Sequence, residues 1–588
     1  NANGGLDLEM PGPGNVWGAS LINSIKDGKV DEGLIDDKVK RILTVANFSK
    51  RFERPGFKPE EAIDQPAHRK LLRKAAADGM VLLKNEGLLP LKKNIKKLAV
   101  IGPNAKNAQI IGGGSASLMP HYQVQPLEAF KARLSAEINI EYAKGCHTHK
   151  YLPRLNENLI SGNKGFLVEY FDGQSFEENL IFSEHLIGNK FWVFEGFAKE
   201  VIGKEERPNI SVKFSCDYNP DISGDHEFEI FGIGQCKLLI DGKELIDNWN
   251  NIEPGEAFFT FSSASKKGIV DMQKGESYLI EVQYYFEGNF PAVYIGCKAP
   301  DEVDLFQQAI EVASNADQVI LIAGTNSDWE TEGNDRAELS LPADQDALIK
   351  AILEANKNTT VVINTGSPVE MPWIDNADAV IQTWFAGQEF GNALVDIVTG
   401  EINPSGRLPT TFPKNITDTP AYDCYPGEDQ QMNYEEKLLV GYRWYDKKGN
   451  DPLFSFGHGL SYTQFEYSNL AIKMHDSNEV SCIFTIENIG DVIGAEVAQC
   501  YVAFENLDSD EPIKTLQGFA KETIAAGDKK TVEIKLTQRN FSYWDVESKC
   551  WKIRQGSYQI LIGSSARLIH LTKTVSLEQV QEVLEPLV

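Results

Sequence analysis

The segment from residue 324 to residue 336 brings together side chains that could carry out acid–base chemistry on a sugar. It contains one tryptophan, one arginine and four acids, which are Asp328, Glu330, Glu332 and Asp335. Carboxylates accept hydrogen bonds from sugar hydroxyls, and aromatic faces cover the apolar faces of sugar rings. Cleavage of a glycosidic bond needs one carboxylic acid that protonates the leaving oxygen and one carboxylate on the other side of the sugar. The segment could supply the first of these two groups.

Each polar motif in the sequence also has another interpretation. The acidic segment fits a solvated loop held by local Asx turns and by a salt bridge to Arg336. The glycine run at residues 112–115 could be taken for a phosphate cradle, but it lacks the Gly-Lys-Ser/Thr ending of a P-loop. His147 and His149 could form half of a metal site, but no third ligand lies near them in the sequence. We therefore expect no nucleotide site, no metal ion and no cofactor.

Short apolar runs indicate the elements that must position the acidic segment. Runs typical of strands covered on both faces occur at residues 98–101, 319–323, 361–363 and 379–381. Apolar residues at helical spacing lie between these runs, within residues 127–134, 303–313 and 348–352. The alternation predicts an α/β sandwich, whose ligands meet the loops at the carboxyl ends of the strands. Polar loops in that position are residues 112–117, 324–336 and 384–389.

Other patterns flank and interrupt the predicted sandwich. Apolar residues at helical spacing predict one helix over residues 35–43 and another near residues 71–83. From about residue 166 to residue 297 the period becomes two, with a hairpin signal at Asp241-Gly242, and this predicts an all-β insert. A second β region begins after about residue 465, and its strand candidates have the spacing of a β-sandwich.

The composition excludes several classes of protein. The 588 residues carry a formal net charge of −28, and the apolar content of 42% is ample for several domain cores. A chain this acidic is a poor candidate for binding nucleic acid or anionic membranes, which both need clustered Lys and Arg. The eight cysteines form no Cys-x-x-Cys pair, so isolated buried thiols are expected. No apolar run is long enough for a transmembrane helix.

Several motifs resemble glycoside hydrolase family 3, in the same order and over nearly the whole chain. Residues 5–13 look like the stretch that follows the nucleophile motif of that family, and residues 75–85 and 88–91 look like its entry to the α/β sandwich. The sequence Glu-Gly-Asn-Asp-Arg at residues 332–336 is similar to its acid/base loop. Further similar motifs lie at residues 387–389, 403–409 and 456–463.

The resemblance implies a multidomain chain of α/β and all-β parts. A remnant of a β/α barrel is followed by an α/β sandwich, which an all-β sandwich insert of the protective-antigen type interrupts. A fibronectin type III-like β-sandwich lies near the C-terminus. The expected boundaries are 1–57 for the barrel remnant, 58–160 and 300–415 for the sandwich, 164–299 for the insert, 416–464 for a linker, 465–577 for the C-terminal sandwich and 578–588 for a tail.

The resemblance also implies a retaining mechanism with an Asp nucleophile and a Glu acid/base. We assign the acid/base role to Glu332, because the family pattern Glu-Gly-x-Asp-Arg begins there. Glu330 is the rival, since residues two apart in an extended segment point the same way and spacing cannot separate them. The expected substrate-binding residues are Ser115, Trp329, Asp335 and Arg336.

The acid/base residue must hold a proton at rest, which requires a raised pKa. A low-polarity wall or a nearby anionic nucleophile would raise the pKa of Glu332. Trp329 could form such a wall, although a packed loop anchor is an equal interpretation of this residue.

The nucleophile Asp is expected upstream of Asn1, together with most of the barrel. Residues 1–57 cannot close an eight-stranded barrel, and Asp7 falls after the nucleophile in the family and is expected to be structural. We therefore expect the chain alone to be inactive. Its expected partners are a β-glucoside or oligosaccharide and the N-terminal barrel segment or chain. The sequence leaves open whether the chain forms a homo-oligomer.

The leading hypothesis is an exo-acting β-glucosidase whose insert restricts long substrates on the leaving-group side. A β-xylosidase or another β-glycosidase of the same family is the alternative enzyme. A non-catalytic sugar-binding protein and a subunit that completes a separate barrel are the alternatives from other classes. The last of these should expose apolar surface on residues 1–57.

Overall fold

The structure, a computed structural model, divides the chain into two compact units, Asn1–Gln65 and Pro66–Val588. It describes residues 1–10, 17–57, 59, 61–161, 165–187, 191–193, 196–198, 201, 209–288, 290–429, 431–475, 479–505, 510–580 and 582–583. Most of the predicted tail at residues 578–588 therefore lies outside the described residues, and the domain boundaries stay predictions. No described helix is both long enough and apolar enough to cross a membrane.

The first unit contains two helices, Ala19–Lys26 and Glu32–Phe48. The side chain of Asp31 caps the second helix by accepting a backbone hydrogen bond. Asp7 accepts hydrogen bonds of 2.8 to 2.9 Å from the guanidinium of Arg41, and this contact lowers the pKa of Asp7. These are the contacts of a structural residue, and the structural role of Asp7 stays a prediction.

Large apolar side chains of the first unit remain uncovered. Phe48 is 88% exposed and Val45 is 67% exposed, although both lie on a helix with helical apolar spacing. Other exposed apolar residues of this unit are Val39, Ile42, Leu43, Phe52 and Phe57. Exposed apolar surface of this extent is typical of a face that associates with another segment or chain.

The α/β sandwich is built on one six-stranded sheet. Its strand order is Val81–Asn85, Ala379–Gln382, Thr359–Asn364, Gln318–Gly324, Lys97–Ile101 and Asn139–Ala143. Helices Pro66–Gly79, Pro126–Leu134 and Phe390–Thr399 pack on one face, and helices Leu305–Ser314 and Gln345–Ala355 pack on the other. Because both faces are covered, the central strands are apolar at nearly every position, as the sequence pattern predicted.

The helix predicted near residues 71–83 is confirmed as far as Gly79 and is wrong beyond that residue. The helix Pro66–Gly79 ends early, and Val81–Asn85 forms an edge strand antiparallel to Ala379–Gln382. Val81 and Leu82 are wholly buried in the cores on opposite faces of the sheet. Successive side chains of a strand point to opposite faces of a sheet, so an edge strand can bury consecutive apolar residues in two cores. The same residues on a helix would point in different directions around the helix axis.

The all-β insert consists of two facing sheets. The first has the strand order Lys243–Asn248, Gln235–Ile240, Tyr278–Glu287, Asn209–Tyr218, Gly165–Asp172 and Leu180–Ile187. The second has the order Lys266–Met272, Gly224–Gly232, Ala292–Lys298 and Phe191–Trp192. The predicted hairpin is present, since Asp241 and Gly242 adopt φ values of 50° and 73° between paired strands. The protective-antigen-type assignment of this insert stays a prediction.

The C-terminal region is a second β-sandwich. One sheet consists of Phe465–Met474, Val480–Asn488 and Lys529–Leu536. The other consists of Thr515–Ile524, Gly494–Phe504, Gly556–Gly563 and Ile569–Leu577. The short strands Tyr543–Asp545 and Cys550–Lys552 form a separate ribbon. All eight cysteines are free thiols, and six of them are buried.

Two of the resembling motifs, at residues 403–409 and 456–463, join the α/β sandwich to the C-terminal sandwich. Arg407 forms a 2.5 Å ion pair with Glu496, and both side chains are less than one tenth exposed. Gly457 has a φ of 81°, and a Cβ on it would lie 2.1 Å from the side chain of Gln499. These contacts show that the two motifs hold two domains together, and neither motif is part of the acidic segment.

His458, in the second of these motifs, makes the stability of the domain junction depend on pH. Its Nε2–H donates to the carbonyl oxygen of Leu83 at 2.8 Å, and its ring stacks on Phe454. Burial lowers the pKa of His458, so the folded chain holds this imidazole neutral, while the unfolded chain protonates it below about pH 6.5. The stabilisation is therefore present at neutral pH and is lost as the pH falls below that value.

We expect His458→Gln to lose stability at pH 7 and to lose less at pH 5. The measurement is the urea midpoint of each protein at both values, with the exposed His121 changed to Gln as the control. The gap between wild type and His458→Gln should narrow at pH 5, whereas the gap for His121→Gln should stay constant. A constant gap for His458→Gln would contradict the assignment of a neutral buried imidazole.

Candidate active site

The acidic loop follows the strand Gln318–Gly324 at the carboxyl edge of the sheet. Asn364 ends the neighbouring strand and ties the surrounding loops together. Its Nδ2 donates to the carbonyl oxygens of Trp384 at 2.7 Å and Gln109 at 2.9 Å, and its Oδ1 accepts from Asn104 at 3.0 Å. The three polar loops predicted at this edge therefore meet there. Sequence reasoning did not identify Asn364, although an asparagine that ends a buried strand was a usable signal.

Glu330 turns its carboxylate toward the sheet. The Oε1 atom accepts hydrogen bonds from the Thr325 hydroxyl at 2.5 Å and from the Gly366 N–H at 3.0 Å. Both donors belong to loops that leave central strands of the sandwich, so this side chain links the loops to one another. Glu330 is in this way engaged as a structural acceptor.

Glu332 points away from the sheet and is exposed. Its Oε2 accepts a hydrogen bond of 2.9 Å from the backbone N–H of Ser115. The hydroxyl and the N–H of Ser115 both favour the ionised carboxylate and lower the pKa of Glu332. The structure thus separates two glutamates that sequence spacing left equivalent, and only Glu332 faces open space.

The raised pKa expected for Glu332 is wrong for the described residues, and Trp329 does not act as its wall. The indole N–H of Trp329 donates to the Thr148 carbonyl at 2.8 Å, and the Lys150 ammonium lies 5.6 Å from the ring centroid. These contacts hold Trp329 as a loop anchor. The pKa of Glu332 is lowered because the hydrogen bonds from Ser115 outweigh the desolvation of this exposed carboxylate.

Asp335 and Arg336 are engaged by neighbouring loops. The hydroxyl of Tyr425 donates to Asp335. Arg336 donates to the Ser367 hydroxyl at 3.0 Å and to the Ser340 carbonyl at 2.9 Å, and burial lowers the pKa of Arg336. The substrate-binding roles of Ser115, Trp329, Asp335 and Arg336 therefore stay predictions, and the contacts in the structure are those of loop anchors.

A cleft of about 160 Å³ lies against Glu332. Aromatic side chains form much of its lining, and these are Tyr151, Trp192, Phe231, Phe258, Phe259 and Tyr294. Asp328 and Arg154 add charge to the lining, and burial raises the pKa of Asp328. An acid beside a mostly aromatic cleft is an arrangement that can bind a sugar or an aryl group next to a proton donor.

The β insert supplies the wall of this cleft that faces the acidic loop. The Asn334 amide donates to the Glu256 carbonyl at 2.6 Å, and a Cβ on Gly333 would lie 3.3 Å from the Cα of Phe259. Phe258, Phe259 and Thr260 all adopt positive φ values, of 52°, 59° and 69°. Backbone strain of this kind in non-glycine residues clusters at ligand-binding sites.

A larger cleft lies elsewhere among the described residues. It has a volume of about 730 Å³ and is lined by residues of the C-terminal sandwich, among them Trp544, Trp551 and Arg539. Arg539 stacks on Trp551, so this aromatic face is already covered. The smaller cleft is the candidate site, because it adjoins the acidic loop at the carboxyl edge of the sheet. Among the described residues no cluster of His, Cys, Asp and Glu is arranged to hold a metal ion.

Comparison with known proteins identifies the family of the chain. Residues 80–462 match the glycosyl hydrolase family 3 C-terminal domain, and residues 496–566 match the fibronectin type III-like domain. The chain is 36% identical to a β-glucosidase of Rhizobium radiobacter, over 99% of this chain and 72% of that protein. It is 37% identical to a probable β-glucosidase I of Aspergillus clavatus, over 95% of this chain and 69% of that protein.

A solved structure extends the likeness to the fold. The crystal structure of a β-glucosidase from Kluyveromyces marxianus superposes with a TM-score of 0.87 at 31% sequence identity. The match covers 98% of this chain and 71% of the yeast enzyme. With its α/β sandwich, β insert and C-terminal sandwich, the chain belongs to glycosyl hydrolase family 3.

Proposed function

We propose that this chain carries the acid/base part of an exo-acting, retaining β-glucosidase, which releases terminal non-reducing β-D-glucosyl residues. The observation that carries the proposal is the exposed carboxylate of Glu332 beside an aromatic cleft. The relatives from Rhizobium radiobacter and Kluyveromyces marxianus, which bear the name β-glucosidase, support glucose as the released sugar.

In the proposed reaction Glu332 acts twice. In the assembled enzyme the anionic aspartate nucleophile would raise the pKa that the Ser115 donors lower, so that Glu332 can hold a proton. Glu332 first donates this proton to the glycosidic oxygen while the aspartate attacks the anomeric carbon from the other side. It then removes a proton from the water that hydrolyses the glucosyl–aspartate bond, and the configuration is retained. The exposure of Glu332 leaves its carboxylate accessible to the leaving oxygen and to this water.

The aspartate nucleophile is proposed to belong to a barrel segment that joins the first unit. The uncovered apolar residues of that unit, such as Val45 and Phe48, support this proposal because a barrel segment would cover them. The proposal also accounts for Asp7, whose pairing with Arg41 leaves it a structural residue. The subunit-completing role and the enzymatic role are therefore two descriptions of the same assembly.

The experiment that tests the proposed function compares two sugars and follows the product. The chain, supplied with the barrel segment of a family relative, is given 4-nitrophenyl β-D-glucoside and 4-nitrophenyl β-D-xyloside. We expect a higher kcat/KM for the glucoside and β-glucose as the first anomer seen by NMR. A preference for the xyloside would favour the β-xylosidase alternative, and sugar binding without turnover would favour the non-catalytic alternative.

The insert is expected to set the preference for short substrates. Phe259 stands on the cleft wall contributed by the insert, so Phe259→Ala should open the cleft and raise the ratio of kcat/KM for cellotetraose to that for cellobiose about threefold or more. Phe261→Ala is the matched control, because Phe261 lies in the same loop, is 70% exposed and does not line the cleft. Deletion of residues 166–297 should raise the same ratio of kcat/KM values further. If the ratio stayed unchanged both in Phe259→Ala and in the deletion variant, the insert would not set the preference for short substrates.

A further inference from the structure

The glycine turn at residues 112–115 contacts the acidic loop at two points. The Gly113 N–H donates to the Glu330 carbonyl oxygen at 2.9 Å, and the Ser115 N–H donates to the Glu332 Oε2 at 2.9 Å. The first bond fixes the backbone of the acidic loop, and the second fixes a carboxylate oxygen. The turn therefore acts on the position and on the direction of the Glu332 side chain.

Glycine is required in this turn by the closeness of the acidic loop. Gly114 has a φ of 72°, and a Cβ there would lie 2.5 Å from the Cβ of Glu332. A Cβ on Gly113 would lie 2.4 Å from the carbonyl oxygen of Ser327 and 2.9 Å from the Thr331 hydroxyl. The run that resembles a phosphate cradle thus packs against protein, and the acidic loop occupies the space in front of it.

The segment that leads into the turn is itself fixed to the sheet. The Gln109 N–H donates to the Asn364 Oδ1 at 2.9 Å, and the Asn364 amide donates back to the Gln109 carbonyl oxygen at 2.9 Å. The Gly387 N–H donates to the Ile110 carbonyl oxygen at 3.0 Å. The turn is therefore fixed to the end of one strand, at Asn364, and to the loop that follows another strand, at Gly387. These contacts give the turn a defined position from which it can hold the acidic loop.

We propose that the turn positions Glu332 for proton transfer, and that Ser115 is a positioning residue rather than a sugar-binding residue. The inference rests on the acid/base role proposed above. The Ser115 N–H holds Oε2, which leaves Oε1 as the oxygen to face the leaving group. A fixed proton donor within hydrogen-bond reach of the leaving oxygen is what general acid catalysis requires.

The test uses two substitutions that differ in the donors they remove. Ser115→Ala removes the hydroxyl and keeps the N–H, whereas Ser115→Pro removes both and places a ring carbon where the N–H was. Ser117→Ala is the control, because Ser117 lies two residues after the turn and its hydroxyl donates to the Gly112 carbonyl oxygen rather than to the acidic loop. The three variants and wild type are assayed as the chain supplied with a barrel segment.

The main readout is the dependence of kcat/KM on the leaving group. A good leaving group such as 2,4-dinitrophenolate departs without protonation, whereas the methoxy oxygen of methyl β-glucoside must be protonated so that it leaves as methanol. We expect Ser115→Pro to lower kcat/KM for methyl β-glucoside about 100-fold and for 2,4-dinitrophenyl β-glucoside less than about 5-fold. Ser115→Ala should show a smaller difference of the same kind, and Ser117→Ala should match wild type. An equal loss on both substrates would overturn the inference, because loss of a sugar contact or of folding affects both alike.

The second readout is the pH profile of kcat/KM. The Ser115 donors lower the pKa of Glu332, so their removal should raise it and move the basic limb to higher pH, more in Ser115→Pro than in Ser115→Ala. A basic limb that does not move in Ser115→Pro would also overturn the inference. Glu332→Ala, assayed alongside, separates the two proposals. If this variant itself shows no dependence on the leaving group, the acid/base assignment fails; if it does while Ser115→Pro does not, only the positioning role fails.

Discussion

Glu332→Ala is expected to lower kcat/KM for methyl β-glucoside and cellobiose by about 10³-fold, within the range that general acid catalysis contributes. The value for 2,4-dinitrophenyl β-glucoside should stay within about tenfold of wild type, because this leaving group needs no proton. Its kcat should nevertheless fall, since the second step then lacks a base. Added azide, which attacks without a base, should raise kcat and give β-glucosyl azide with retained configuration.

Glu330→Ala is the matched comparison for this result. Glu330 accepts hydrogen bonds from Thr325 and Gly366, so its substitution should loosen the loops and lower stability. Any loss of kcat/KM should be similar for good and poor leaving groups, and azide should not rescue it. If azide instead rescued Glu330→Ala and not Glu332→Ala, the acid/base role would belong to Glu330.

Glu496→Ala is expected to cost about 3–5 kcal/mol in the free energy of unfolding, the largest stability effect we predict for a single side chain. Glu496 is 4% exposed and pairs at 2.5 Å with Arg407, which is 9% exposed, and it accepts a 2.7 Å hydrogen bond from Tyr467. The substitution leaves the Arg407 guanidinium buried without its carboxylate. The measurement is urea unfolding followed by tryptophan fluorescence.

Glu522→Ala provides the control for this prediction. Glu522 belongs to the same C-terminal sandwich and pairs at 3.0 Å with Lys530, but the two side chains are 37% and 48% exposed. Exposed ion pairs contribute about 0–1 kcal/mol, because water screens them. Equal losses of stability in Glu496→Ala and Glu522→Ala would show that the Arg407 junction does not hold the two domains together.

The sequence predicted those parts of the fold in which burial leaves a periodic pattern. The run at residues 319–323 is apolar throughout because helices cover both faces of its strand, and this pattern cannot arise on a surface strand. The strand Val81–Asn85 escaped prediction because its apolar run follows the helix Pro66–Gly79 directly, and only Gly79 marks the change. A short apolar run can be buried on either a helix or a strand, so the spacing of apolar residues alone did not show where the helix ends and the strand begins.

The candidate site was predictable in its composition and not in its contacts. The acidic residues stand out in the sequence, but Glu330 and Glu332 are separated by partners from other loops, Thr325, Gly366 and Ser115. Five of the six aromatic residues that line the cleft belong to the insert, and Phe258 and Phe259 lie more than 70 residues before Glu332. No local pattern predicts where an inserted domain packs. The adjacent Phe258 and Phe259 are evident in the sequence, but their position on the cleft wall could not be predicted from it.

The most direct test is hydrolysis of 4-nitrophenyl β-D-glucoside by this chain and by its Glu332→Gln variant, each with and without the barrel segment of a family relative. The account predicts no turnover from either protein alone, turnover from the wild-type chain once the segment is supplied, and a rate at least about 100-fold lower for Glu332→Gln under the same conditions. Turnover by the chain alone that is lost in Glu332→Gln would contradict it, because a nucleophile would then lie within these 588 residues.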